Sequence, residues 1–138
     1  MMISSKGRYA LRVLLDLAGQ SGAEYVPSRD IAVRQGISPK YLESIMTMLA
    51  KAGLIAGVHG KGGGYKLAVK PEECTVGRVL KLTEGSLSPV SCVQGGESTC
   101  EHAASCKTVA VFARLDRLID DYLESVRLSD LLQGIPAE

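Results

Sequence analysis

The 138-residue sequence has no tryptophan and a single phenylalanine. Its core must therefore come from Leu, Ile, Val and Ala, which a 46% hydrophobic composition supplies. There is no apolar run of the roughly 18 residues a transmembrane helix needs. The N-terminus lacks the apolar stretch of a signal peptide, so the protein is expected to stay in the cytoplasm. No nucleotide-binding loop or dinucleotide fingerprint occurs, and Gly62-Gly63-Gly64 precedes a strand pattern rather than a helix. The two histidines lie in glycine-rich or polar segments with no third group to orient a nucleophile, so no enzyme is expected. Internal repeats and low-complexity tracts are also missing.

Net charge is only +1, but it is unevenly spread. Residues 1–70 hold ten Lys and Arg against four Asp and Glu, whereas residues 71–138 hold six against eleven. A basic first half suits a polyanion, and the acidic second half would face away from it.

Within the basic half, Val26 to Leu67 organises the chain. Ser28 is placed as an N-cap after Pro27, Ile31 and Ala32 give the short helix an apolar face, and Gly36 ends it. Ser38 caps a second helix with Pro39 at its first position, where a missing N–H costs nothing. Leu42, Ile45, Met46 and Leu49 recur at helical spacing, leaving Lys40, Tyr41, Glu43, Ser44 and Thr47 on the other side. This is a helix-turn-helix pattern. Gly53 stops the second helix. Leu54–Val58 and Tyr65–Val69 read as two strands around the basic tip His59-Gly60-Lys61-Gly62-Gly63-Gly64, a wing whose glycines let backbone approach phosphate. Upstream, a helix is expected from Ser5 as N-cap to Ala18, with Lys6 and Arg8 near its start, followed by a loop with Gly22 at its tip. The candidate DNA-contacting residues are Lys6, Arg8, Ser38, Pro39, Lys40, Tyr41, Glu43, His59, Lys61, Gly62, Gly63 and Tyr65.

Several motifs together carry a resemblance: Ser5-Lys6-Gly7-Arg8-Tyr9-Ala10, Gln35-Gly36-Ile37-Ser38, Tyr41-Leu42-Glu43, Gly53-Leu54 and Gly62-Gly63-Gly64-Tyr65. From Met1 to about Leu132 the chain resembles the bacterial winged-helix repressors typified by IscR, NsrR and CymR. The resemblance implies a dimeric, sequence-specific regulator of transcription, most simply a repressor, on a near-palindromic DNA operator. Many members have Arg where this chain has His59. Some members carry an iron–sulfur cluster, 2Fe-2S or 4Fe-4S, and others carry none.

In the second half, Thr75 caps a helix Val76–Glu84 whose Val79, Leu80 and Leu82 pack inward, and Gly85 ends it. Cys74 stands apart as a small core hydrophobe. Gly85–Ser105 is a polar loop with too few apolar residues to pack by itself. Cys92, Cys100 and Cys106 are separated by seven and then five residues. In a reducing compartment, thiols so placed bind metal more readily than they form disulfides. By the resemblance they match the cluster-binding cysteines, though more widely spaced. Val109 stands where IscR-type members have a histidine ligand, leaving His102 or Glu101 as candidates for a fourth. A helix Cys106–Val126 follows, with Phe112, Leu115, Ile119, Tyr122 and Val126 as its dimer stripe. Ser129 is placed as the cap of a final turn, and the tail from Gln133 is expected to fray.

The expected fold is therefore mainly α: a winged helix-turn-helix with a two-stranded β wing and a long C-terminal dimerisation helix. Its divisions are 1–70 for DNA binding, 71–105 for linker, short helix and cysteine loop, and 106–138 for dimerisation helix and tail. The expected function is a dimeric, cluster-controlled DNA-binding regulator. Two alternatives stand beside it: a cluster-free regulator governed by a partner protein or small molecule, for example in cysteine metabolism, and a zinc-stabilised interaction module.

Overall fold

The computed structural model describes residues 3–20 and 24–136. The expected loop tip at Gly22 and the last two residues of the tail lie outside them. Among the described residues the chain forms six α-helices and two small antiparallel sheets.

Helix α1 runs Ser5–Gly19 and is capped by Ser4, whose Oγ accepts the Gly7 N–H. The cap thus lies one residue earlier than the sequence pattern placed it, because Ser4 is the residue with extended backbone. Helix α2, Ser28–Gln35, begins after Pro27 with no side-chain cap, so Ser28 is its first helical residue. Gly36 ends it in the left-handed conformation at φ 64°. Helix α3, Pro39–Lys51, has the expected cap, with Ser38 accepting the Tyr41 N–H at 3.2 Å.

The wing consists of β1, Ile55–Val58, and β2, Gly64–Leu67, paired in the register Ile55 to Leu67 and Val58 to Gly64. Both strands are slightly shorter than expected. Val26 and Tyr65 exchange two backbone hydrogen bonds, at 2.7 and 2.8 Å, and so tie β2 to the entrance of α2. Gly64 makes this approach possible. A Cβ there would sit 2.3 Å from the Val26 carbonyl oxygen, and its φ of 148° disfavours other residues.

A single 3-10 turn, Pro71–Glu73, leads into α4, Val76–Glu84, capped by Thr75. Leu82 does not pack inward: it is 36% exposed. Val76, Val79 and Leu80 already fill the buried side of that helix. The polar loop folds into a short hairpin of β3, Val93–Gln94, and β4, Glu97–Ser98. Helix α5 runs Val109–Ser125 behind Thr108, so Cys106 precedes the helix instead of starting it. Helix α6 is Leu128–Gln133. Its first turn is closed by Asp130 accepting the Arg127 N–H, and Ser129 lies inside the helix.

The principal core crosses residue 70. Cys74, Val79 and Leu128 are buried in the same cluster as Val13, Leu14, Ile31, Leu42 and Ile45. Cys74 has no exposed surface, and burial pushes its thiol up, as suits a packing residue. A second cluster joins Val76, Leu80, Leu87 and Val126. Asp16 fixes α1 to α2, accepting from Arg34 at 2.7 and 3.0 Å and from Gln35 at 2.8 Å. Burial pushes its carboxyl up, but those hydrogen bonds outweigh it and hold the group below its ordinary value.

Gly64→Ala should cost roughly 1–3 kcal/mol through backbone strain, with the Val26 clash in addition. It should also speed hydrogen exchange at the Val26 and Tyr65 amides. Gly62→Ala is also strained, at φ 79°, but its Cβ meets nothing within 4 Å, so that strain stays at the tip and those amides should remain protected. Equal exchange in the two variants would contradict this account of the wing's attachment.

Candidate nucleic-acid interface and cysteine loop

Burial of Leu42, Ile45, Met46 and Leu49 turns the opposite side of α3 to solvent. Ser38, Pro39, Lys40, Glu43, Ser44 and Thr47 are exposed there. Tyr41 is only half-exposed, because its ring meets Tyr9 of α1 edge to face at 5.9 Å. It aligns the first turns of the two helices more than it offers a free surface. Arg12 lies over the Tyr9 ring at 5.2 Å and donates to the Gln35 carbonyl at 2.8 Å. Lys6 is half-buried, while Arg8 is exposed and donates to Ser5 Oγ.

An open cleft separates α3 from the wing. Its lining includes Ser28, Arg29, Glu43, Thr47, Lys51 and His59. At the tip, the Gly63 N–H donates to the Gly60 carbonyl, with Gly60 at φ 93° and Gly62 at φ 79°. His59, Lys61 and Gly62 are exposed. Tyr65 is half-buried, its ring over Gly57 on the paired strand, where it braces the wing. Arg29 and Lys51 are cleft residues absent from the sequence candidates, and Thr47 was placed on the polar side of its helix without being named a contact. Arg29 had a usable signal, a cation in the first turn of the leading helix of the pair, where the motif crosses a DNA backbone. Its side chain is 87% exposed, with only a loose 3.9 Å approach to Asp30.

The cysteine loop is more ordered than its composition suggests. Val93 is fully buried, and the single Ser88 hydroxyl proton lies within reach of both the Val90 and Val93 carbonyls. At the open end of the hairpin the Cys92 carbonyl accepts the Thr99 N–H at 2.9 Å. Ser98 Oγ donates to that same carbonyl and accepts the Cys100 N–H. Successive turns then carry the chain from Cys100 to Cys106. All three thiols are free. Cys106 is exposed and lies 3.3 Å from the Thr108 hydroxyl, a hydrogen bond that pulls its thiol below the ordinary value and favours thiolate. His102 and Glu101 pair with each other at 3.5 Å in the open.

The donor set thus suits a thiophilic metal centre in chemistry and chain proximity. It is not pre-assembled: among the described residues no three His, Cys, Asp or Glu side chains are gathered to hold a metal ion. Binding would have to draw the loop together.

Helix α5 carries two apolar stripes, and the expected dimer residues divide between them. Val126 is buried, and Ile119 packs with it against α4 together with Leu123. Phe112 is half-buried. The outward stripe is Val111, Leu115, Leu118 and Tyr122, which are 40–64% exposed. A pattern of neighbouring stripes cannot tell which one docks within the protomer. Lys81 of α4 pairs with Asp120 and Glu124, and Glu124 also accepts from Thr75, fixing the choice.

A glycine-turned helix pair with a hydrogen-bonded wing defines a winged helix-turn-helix protein. The chain belongs to the Rrf2 family, described as an iron-dependent transcriptional regulator, whose family model matches residues 3–134. It is 39% identical over 132 residues to the HTH-type transcriptional regulator IscR of Aliivibrio salmonicida, spanning 96% of this chain and 77% of that one. With IscR of Pectobacterium atrosepticum it shares 41% over 134 residues, 97% and 80% of the two chains. The structure of CymR, the global cysteine regulator of B. subtilis, superposes with a TM-score of 0.80 at 30% identity and 99% coverage of each chain. For T. potens IscR the TM-score is 0.72 at 29% identity, covering 100% of this chain and 94% of that one. The protein is accordingly a DNA-binding transcription regulator and not an enzyme. Among the described residues no helix is long and apolar enough to cross a membrane.

Proposed function

We propose that this regulator binds a near-palindromic operator as a homodimer, and that a cluster on Cys92, Cys100 and Cys106 controls the binding. The observation that carries the DNA reading is the cleft between α3 and the wing, which brings Arg29, Lys51 and His59 beside the exposed side of the second helix. In this reading α3 enters the major groove with Ser38, Lys40 and Glu43 at base edges, and Lys61 and the glycine tip lie on phosphate. Lys61→Ala and Arg29→Ala should each weaken binding to all sequences and lower the salt slope by about one unit. Glu43→Ala should instead change sequence preference, since a carboxylate accepts from cytosine but repels phosphate. Three variants that titrate every sequence as wild type does would remove this placement.

The partner in the dimer is a second copy, held by the outward stripe of α5. Four apolar residues at spacings of four, three and four span about 16 Å of helix at 1.5 Å per residue. Ile135, exposed and lining one hollow with Tyr122, extends this apolar face beyond what scattered surface residues need. Leu118→Asp places a charge in that seam without touching the α4 contact, and sedimentation should report a monomer with wild-type secondary structure. A stable dimer would move the interface elsewhere.

The family description and the IscR relatives support the cluster, and three free thiols on one segment could supply its ligands. An iron–sulfur centre there would supply redox-sensitive, oxygen-sensitive ligation. The Thr108 hydrogen bond holds the Cys106 thiol below its ordinary value, and the hairpin presents Cys92 and Cys100 from one end. His102 or Glu101 would have to turn inward to serve as a fourth ligand. Anaerobic reconstitution with ferrous iron and sulfide should colour the wild type and leave a Cys92, Cys100, Cys106 triple alanine variant colourless. It should change the wild type's DNA affinity alone. A wild type that stays colourless and iron-free favours control by a partner protein or small molecule, the arrangement that the CymR-like architecture also accommodates. A zinc-bound, colourless protein would indicate a structural metal instead.

A further inference from the structure

Asp116 is the one buried polar or charged residue among the described residues, at 7% exposure. It lies on α5 between Leu115 and Leu118 of the outward stripe, yet turns away from that stripe. Its Oδ2 accepts the Gly96 N–H at 2.7 Å. The next residue, Arg117, donates from its guanidinium to the Gly96 carbonyl at 2.8 Å. Two adjacent side chains of α5 therefore hold both peptide groups of one glycine at the tip of the β3–β4 hairpin. Gly96 itself is buried, has φ 80°, and would drive a Cβ to within 2.6 Å of Arg117 Cγ. With Gly95 at φ 60°, the pair makes the turn that a two-residue hairpin requires.

The opposite end of this hairpin carries Cys92 and Cys100. From there to the gripped tip is only the length of two paired residues. Such a hairpin cannot absorb a displacement internally. The grip also resists loosening, because a carboxylate with so little exposed surface loses its closest donor when the Gly96 N–H leaves.

We infer that Asp116 and Arg117 are positioning residues that transmit the state of the cysteine loop to α5, with the β3–β4 hairpin as the lever between them. This inference rests on the proposal that Cys92, Cys100 and Cys106 carry the signal. Drawing the thiols together pulls on the open end of the hairpin. The clamp passes that pull to the middle of the helix whose outer stripe pairs the two copies. The partner geometry, and so the spacing of the two α3 helices, then depends on the loop.

The test compares full-length wild type, Asp116→Ala, Asp116→Asn and Arg117→Ala. Each is titrated with the same DNA before and after anaerobic loading with ferrous iron and sulfide, with visible spectra recorded. Hydrogen exchange of residues 92–98 is measured on the metal-free proteins. The wild type should show a coupling of ordinary size, roughly 5- to 150-fold between loaded and unloaded DNA affinity. Asp116→Ala and Arg117→Ala should load with the wild-type spectrum, remain dimeric, and lose most of that ratio. Hairpin amides should exchange faster in both. Asp116→Asn keeps a carbonyl oxygen for the Gly96 N–H and should retain most of the ratio, a rescue that general destabilisation would not give. If Asp116→Ala does not fold, Arg117→Ala decides, since that side chain is not part of the core. Full wild-type coupling in a loaded Arg117→Ala or Asp116→Ala protein overturns the lever and leaves the cluster standing. A wild type that does not load, or loads with no change in DNA affinity, removes the cluster's control and the lever with it.

Discussion

The structure depends on the burial of α1 from both sides. Ala10, Val13 and Leu14 have no exposed surface. Helix α1 packs against α2, α3 and β2 from the first half of the chain and against α4 and α6 from the second. Each fully buried Val or Leu contributes about 1.5–3 kcal/mol relative to exposure. Separating the two halves of the chain would therefore expose much of the core. Gly7 sits so tightly on α4 that a Cβ would lie 2.6 Å from Glu84 Oε1. Glu84 in turn accepts from the Ser4 backbone and hydroxyl, and the Ser4 hydroxyl chiefly holds its carboxyl below the ordinary value. The start of the basic first helix is thus fastened to the end of α4, beside the point where the cysteine loop begins.

That shared wall makes remote control physically plausible. Helices α3, α1 and α4 belong to one continuous core, and α5 is fixed to α4 by the Lys81, Asp120 and Glu124 pairs. A rearrangement of the loop has two routes into this frame, through α5 and through the end of α4. The base of the wing belongs to the same core through Ile55, with Leu67 packed against it, and the Val26–Tyr65 pairing ties β2 to the entrance of α2, leaving the glycine tip exposed.

Local chemistry was legible in the sequence wherever it governs the outcome. Ser38-Pro39 and Gly36 state the ends of their helices, and Thr75 and Gly85 enclose α4. The serine pairs were harder. Either of Ser4 and Ser5 satisfies a cap pattern, and the backbone alone chose Ser4. Ser28 looked like a cap but was already helical. Helix α5 showed the limit of periodicity, because residues one position apart in its two stripes are equally apolar. Ile119 and Val126 were assigned to the dimer face, whereas α4 claims both. The hairpin was hidden for a different reason. Its strands are two residues each, too short for any alternation, and its tip is held by Asp116 and Arg117, two charged residues that read as solvent-facing. Arg29 and Lys51 became part of the candidate interface only when the wing folded against α3.

The central claim is that one frame fixes the distance between two reading helices and that the cysteine loop adjusts it. Its most direct measurement is the affinity of the full-length protein for a selected operator whose half-sites are moved apart one base pair at a time, before and after iron and sulfide loading. The account predicts a single sharp optimum near one helical turn, about 34–36 Å or a multiple of it, with loading altering affinity most at that optimum. An affinity that is flat across the spacing series, unchanged by loading, would contradict it.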